Sequence, residues 1–358
     1  KKPSGVWIMA YTTIDNPELH FQVKLYTGTG SEQAITLDGS EDMQPDLVYA
    51  KGRGNATSPS IHDSVRGATL ELYTSSTAAE GDYNETLKSF DSDGFTVGTD
   101  GGWNGSGQTK VAWNWKAGTS FSNDASATGI GSIDSTGSVN DTAGFSICTH
   151  TGTGSNATIK HGLSTAPKMI ITKKRSATGG WQVGHESIGW GNGIYLNTTD
   201  ASTGDAGAWN STAPTSSIFY VGNSSFTNQS SANYVSYIFS EKKGYSKFGS
   251  YTGNGNADGP YIYLGFRPAW ILIRVTSTAN DWILLDNKRD SFNVATKKLN
   301  PNLNDAESND SGVSTDFLSN GFKIRTAGGN VNQSSATFVY MAFAESPFVN
   351  SNGIPNNA

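Results

Sequence analysis

Three acidic residues in similar short settings are the first place to look for chemistry. They read His62-Asp63-Ser64, His185-Glu186-Ser187 and Leu285-Asp286-Asn287. Two such carboxylates facing one another would be the acid and base of a glycoside hydrolase. Each, however, takes the same place in a recurring stretch of sequence, whereas an active site is normally assembled once. Arg66 and Arg289 follow Asp63 and Asp286 closely, an arrangement that points to structural ion pairs or turn caps. No catalytic residue is expected, and Asp63, Glu186 and Asp286 are read as structural repeat positions.

The histidines give no site either. His150 takes the place held by Tyr26 and Tyr251, which makes it a half-buried strand residue. His62 and His185 share a position filled by Leu285, while His20 and His161 stand alone. There is no HExxH, nucleophile elbow or phosphate loop. Cys148 is the one cysteine, so neither an intrachain disulfide nor a cysteine metal cluster is possible. No metal and no cofactor are expected. Aromatic side chains are the remaining candidates, because exposed Trp and Tyr stack on sugar rings. Trp190-Gly191-Asn192-Gly193 reads as a loop tip. Trp190, Tyr195, Trp209 and Trp103 are therefore candidate contacts for a glycan or a partner, packing over the end of the fold being the alternative. Trp113, Trp115, Trp270 and Trp282 lie in alternating strands and are expected in the core or between repeats.

These residues are set in a chain of 358 residues that is 35% hydrophobic, 16% charged and 11% aromatic, with 42 glycines. So few charges argue against a helical protein, and so many aromatics against disorder. The net charge of −6 and pI near 5.4 exclude a basic nucleic-acid surface. Lys173-Lys174-Arg175 and Lys297-Lys298 read as solvated strand ends. The longest apolar run, Ala269 to Ile273, has strand length, so no membrane insertion is expected. Lys1-Lys2-Pro3-Ser4-Gly5 is neither an initiator methionine nor a signal peptide. The chain is expected to begin inside a longer or processed polypeptide.

Four markers recur in one order. Tyr26-Thr27-Gly28-Thr29-Gly30 returns as His150-Thr151-Gly152-Thr153-Gly154 and as Tyr251-Thr252-Gly253-Asn254-Gly255. A proline precedes a strand at Pro45, Pro167 and Pro268, the place where a strand needs no ladder donor. The acids come third. Aromatic strands close each unit at Lys110–Trp115, Tyr234–Phe239 and Phe338–Phe343. The spacings from first to second copy are 124, 122, 123 and 124 residues, and from second to third 101, 101, 100 and 104.

The expected architecture is all-β, with three tandem antiparallel β-sandwich-like repeats joined by short linkers and one longer arm. Residues 1–20 would be the end of an upstream segment or an N-terminal arm. Repeats would span 21–118, 144–244 and 245–348, with a Ser/Thr/Gly-rich linker or extended arm at 119–143 and a flexible tail at 349–358. Thr74 to Leu87 and Asn304 to Phe317 are the two weak candidates for a helical turn. Asp93-Gly94 and Asn320-Gly321 are tight hairpin turns, absent from the second copy.

Asp63-Ser64-Val65-Arg66-Gly67, Phe90 to Gly98, Val111 to Gly118, His161 to Ile171, Phe248 to Gly255 and Tyr340 to Phe348 resemble a repeat family of uncharacterised function. That family occurs in structural proteins of tailed bacteriophages, marine and cyanobacterial ones in particular. The resemblance covers about residues 20 to 348 and supplies no catalytic residues. It implies a non-enzymatic virion protein, a tail-fibre or attachment-appendage component on the virion surface. Its partners would be itself, as a homotrimer, other virion proteins and host-surface polysaccharide. A capsid decoration or head-fibre protein and a polysaccharide-degrading tailspike are the alternatives.

Overall fold

The computed structural model describes residues 11–356. It is mostly β, built from antiparallel sheets laid face to face in three lobes. In the first lobe the large sheet places Phe21–Thr27 beside Thr109–Trp115, then Leu47–Gly52, then Ser60–Asp63. In the second the order is Phe145–Thr151, Asn233–Phe239, Met169–Lys174, Trp181–His185. In the third it is Ser246–Thr252, Thr337–Pro347, Phe266–Val275, Ile283–Asp286. The strand that closes each lobe in sequence thus lies inside its sheet, between the first strand and the strand that the proline introduces.

A smaller sheet covers each large one. In the first lobe Gln33–Thr36, Gly94–Val97 and Leu87–Asp91 form it, and in the third Tyr261–Tyr263, Gly321–Ile324 and Thr315–Leu318. Asp91 pairs with Gly94 and Leu318 with Gly321 across the two predicted hairpin turns. The second lobe, which lacks the turn sequence, has only Ala157–Lys160 with Ile218–Val221. One buried asparagine per lobe staples the two layers. Asn104 receives the Thr29 N–H and donates to Ser31 and Gly98 carbonyls. Asn228 and Asn332 make the corresponding bonds to Thr153, Ser155 and Gly222, and to Asn254, Asn256 and Thr326. The backbone passes so close here that a Cβ on Gly28, Gly152 or Gly253 would stand 2.2–2.3 Å from a carbonyl oxygen. That approach explains the glycine of the first repeated marker.

Several expectations are corrected. Of the two alternatives for residues 119–143, the structure has the arm with a hairpin and not the loose linker: Thr119–Asn123 and Ser135–Asn140 extend the second lobe's sheet. Phe121 and Val139 pack against that lobe's outer core. Residues 349–356 are tied down, since Asn356 N–H donates to Phe348 and Ser351 to Asp15. Pro268 lies inside a strand, at a register shift that spares it the missing donor, whereas Pro45 and Pro167 precede their strands. Thr74 to Leu87 holds no helix, and Asn304 to Phe317 holds only the short 3-10 turn Ser311–Val313. The expectation drawn from Lys1 to Gly5 lies outside the described residues.

The lobes are not beads on a string. Their large sheets turn inner faces toward one another, and residues from all three form one apolar cluster. Phe343 of the third lobe lies 5.7 Å from Trp115 of the first and 6.0 Å from Phe239 of the second, ring centre to ring centre. A cavity of about 50 Å³ remains where the faces meet, lined by Tyr49, Ile171, Tyr237, Leu272 and Met341 among others. Trp113, Trp115, Trp270 and Trp282 are buried here as expected. Residues 11–20 close the arrangement: Tyr11 bonds to Tyr263, and the short helix Pro17–Leu19 packs on the Thr337–Pro347 strand.

Burial depresses His150, His161 and His185 to about 4. The unfolded chain therefore binds more protons than the fold between pH 6.5 and 4, and stability is full above pH 6.5 and lost as pH falls toward 4. Each imidazole contributes on the order of 2–3 kcal/mol to that loss. Denaturant midpoints at pH 7, 5.5 and 4 are expected to fall in that order. The fall should be smaller in His150→Tyr, which installs the residue of the two corresponding positions.

Candidate functional site

Strand register decides which residues are equivalent. Leu47 pairs with Asp63, Met169 with His185 and Trp270 with Asp286. The second lobe's counterpart of the two aspartates is thus His185, not Glu186, which is exposed and paired with Lys168 at 2.5 Å. Matching the acidic motifs by chemical type sets the second lobe one residue out, because the carboxylate next door is the more conspicuous match. His62 and His185 do not share a position either: His62 corresponds to Gly184 and Leu285.

Asp63, His185 and Asp286 all stand at seams between lobes. Asp63 is fully buried and accepts from Arg66 Nε at 2.5 Å and from the Tyr237 hydroxyl of the second lobe at 2.7 Å. Asp286 accepts from Arg289 Nε at 2.6 Å and from Trp113 Nε1 of the first lobe at 3.0 Å. His185 approaches the Tyr340 carbonyl of the third lobe at 3.3 Å through Nε2, which must be the donor. The contacts run in one rotational sense around the centre. A second ring does the same with cations. Lys51 donates to the Leu303 carbonyl, Lys173 to Thr77 and Arg274 to Asp200, each in the neighbouring lobe. Burial pushes both lysines down to about 8.

Lys173 and Lys174 are therefore buried, contrary to the solvated strand end expected of them. Arg175 is bidentate on Glu80, which also holds Arg66. Glu307 likewise joins Arg289 to Arg53. Burial alone would raise the pKa of both glutamates, but their arginine partners outweigh it and hold them below the usual range. Lys298 and Lys297 are half-buried, Lys298 on Asp310 at 2.7 Å. At the seam between the second and third lobes Ser202 and Thr276 stand where the others have this pair. Only the backbone bond from Ser202 N–H to the Thr276 carbonyl is kept there.

The aromatic candidates fare differently from expectation. Trp190, Trp209 and Trp103 are buried, and Tyr195 is half-buried against Phe226. Trp190 and Trp209 meet edge to face and fill the space above Gly184, while Gln182 covers Gly193, Asn192–Tyr195 being a strand and not a loop tip. Among the described residues the exposed large aromatics are instead Tyr83, Tyr261, Tyr263 and Phe292. The Tyr261-Ile262-Tyr263 alternation carried that signal for two of them.

Trp103 does touch a polar site. Its Nε1 donates to Glu71 Oε1 at 2.8 Å, and His62 Nε2 lies 3.6 Å from the same oxygen. His62 Nδ1 is 2.6 Å from the Ala68 carbonyl, to which it donates. Glu71 is 2% exposed, its Oε2 has no hydrogen-bond partner, and it lines a pocket of about 220 Å³. The other walls are Thr57, Ser58, Ser60, Tyr73, Asp100 and Gly102. Burial would raise the Glu71 pKa, but His62, Tyr73 and Trp103 together bring it below the ordinary value.

Asp63→Ala strips a buried guanidinium of its closest partner and is expected to cost about 3–5 kcal/mol in urea unfolding. Lys173→Met frees two carbonyls but strands no charge, and is expected to cost about 1–2 kcal/mol.

No curated protein and no solved structure matches the chain. One family, described as a domain of unknown function (DUF7483), matches residues 16–347. That match runs through all three lobes without interruption, and the chain belongs to this family.

Proposed function

We propose that the lobes are three copies of one β-sandwich-like unit closed about a common core. We propose further that the chain is a non-enzymatic structural and attachment module on the surface of a tailed-bacteriophage virion, in a tail fibre or related appendage, contacting host-surface glycan. The observation that carries the first part is the set of equivalent contacts made at equivalent register positions from lobe to lobe. The second part is supported by the motif resemblance described above and by the use to which the carboxylates are put. Asp63 and Asp286, the acids best suited to glycoside hydrolysis, are each engaged by a buried arginine and a neighbouring lobe. Neither is offered to a substrate.

A fibre protein commonly obtains three-fold contacts by associating three chains. Here corresponding contacts are made inside one chain, so we take the single chain of 37.9 kDa as the building block. Light scattering should return that mass, and labelled protein should bind host cells until the surface polysaccharide is stripped or added in excess. Binding that ignores polysaccharide, or reducing ends released from it, would overturn the attachment reading.

A further inference from the structure

Where three lobes share a scaffold, a residue that only one of them carries is not required by the scaffold. Register places Glu71 opposite Gly193 and Lys298 in the other lobes, because Leu72, Ile194 and Leu299 pair with Ile61, Val183 and Leu284. His62 corresponds to Gly184 and Leu285. Trp103 corresponds to Thr227 and Val331, whose carbonyls receive His150 and Tyr251 as the Trp103 carbonyl receives Tyr26. The second lobe closes this space with Trp190 and Trp209 over Gly184 and Gln182 over Gly193, and the third engages Lys298 with Asp310. The first lobe alone buries a carboxylate there and leaves it an unpartnered oxygen at a pocket.

We infer that this pocket is a binding subsite for one neutral pyranose residue of a surface glycan, an inference that rests on the attachment reading above. Glu71 and Asp100 accept hydroxyl donors, and Thr57, Ser58 and Ser60 supply exchangeable hydroxyls. Tyr73, half-buried, adds aromatic surface for the C–H face of the ring, and the buried Trp103 holds Glu71 in place through its Nε1. No cationic side chain lines the pocket, so a uronate or sulfated sugar meets no counter-charge. A bare ammonium is disfavoured too, because Lys110 already stands behind Asp100, its Nζ donating to the Gly101 and Gly102 carbonyls, and Trp103 already donates to Glu71. At about 220 Å³ the pocket is smaller than sites that enclose a drug-sized ligand, which limits it to one ring.

Saturation-transfer NMR on the full chain, with methyl glucoside, galactoside and mannoside beside glucosamine and glucuronate, tests this. At least one neutral glycoside should bind, and Glu71→Gln should weaken it roughly tenfold, the loss expected for one hydrogen bond to a charged group. Asp100→Asn keeps the turn-capping oxygen and should also weaken binding, which guards against a folding defect in the first variant. Lys298→Ala in the third lobe should leave it unchanged. Binding of glucosamine alone, binding indifferent to both variants, or no binding would overturn the subsite. Cell attachment reads the two proposals apart. If Glu71→Gln attaches normally and no glycoside binds, the subsite falls and attachment stands. If a glycoside binds but cells do not, attachment falls and the subsite stands.

Discussion

No lobe has enough layers to cover itself. Each large sheet has one face under its small sheet and another that is apolar along its length, with Tyr49 and Trp113, Ile171 and Tyr237, or Leu272 and Met341 side by side. An exposed face of that size is intolerable in water, and the three faces satisfy one another. The hydrophobic term therefore sets the arrangement of lobes, and the polar rings decide its rotational register. Those rings can be buried because each member is bonded across a seam: an aspartate to a neighbour's phenol or indole, a cation to a neighbour's carbonyl.

That division of labour leaves room for asymmetry. A core position tolerates changes of apolar shape, so Trp115, Phe239 and Phe343 serve equivalent places. A seam position tolerates changes of charge only when its partner changes too. His185 fits where the other lobes have aspartates because its partner is a carbonyl, an acceptor, and not a donor such as Tyr237 or Trp113. No arginine stands three residues on from His185, and none is needed opposite a neutral ring.

Much of this was legible in the sequence. Alternation and turn residues gave the strands, and the Asp-Gly and Asn-Gly hairpins fall where predicted. The four recurring markers locate the strands whose order the lobes share. What pattern cannot give is the third dimension. Nothing in Lys173-Lys174 distinguishes a solvated end from a cation plugged into a neighbour's carbonyls, since the partner lies 96 residues away. The buried tryptophans mislead for a related reason. Gly-rich surroundings suggest a loop tip, but Gly184 and Gly193 are small because side chains occupy the space above them, two indole rings over Gly184 and the Gln182 amide over Gly193. Glu71 escapes notice because its neighbours in sequence face elsewhere; only register against the other lobes makes it stand out.

The position of each closing strand has a consequence for how the chain reaches this state. Thr109–Trp115, Asn233–Phe239 and Thr337–Pro347 are the last of their lobes in sequence yet lie between strands formed from much earlier residues. Until such a strand arrives, its two neighbours present unpaired edges to one another and to other chains. A nascent lobe is thus incomplete until nearly all of it has been synthesised. The last arrival also seats against residues 11–20, so its insertion joins the two ends of the described chain. Contacts at such separation make for slow folding. The same connectivity favours a slow return, because no lobe can shed its closing strand without parting a sheet on both sides.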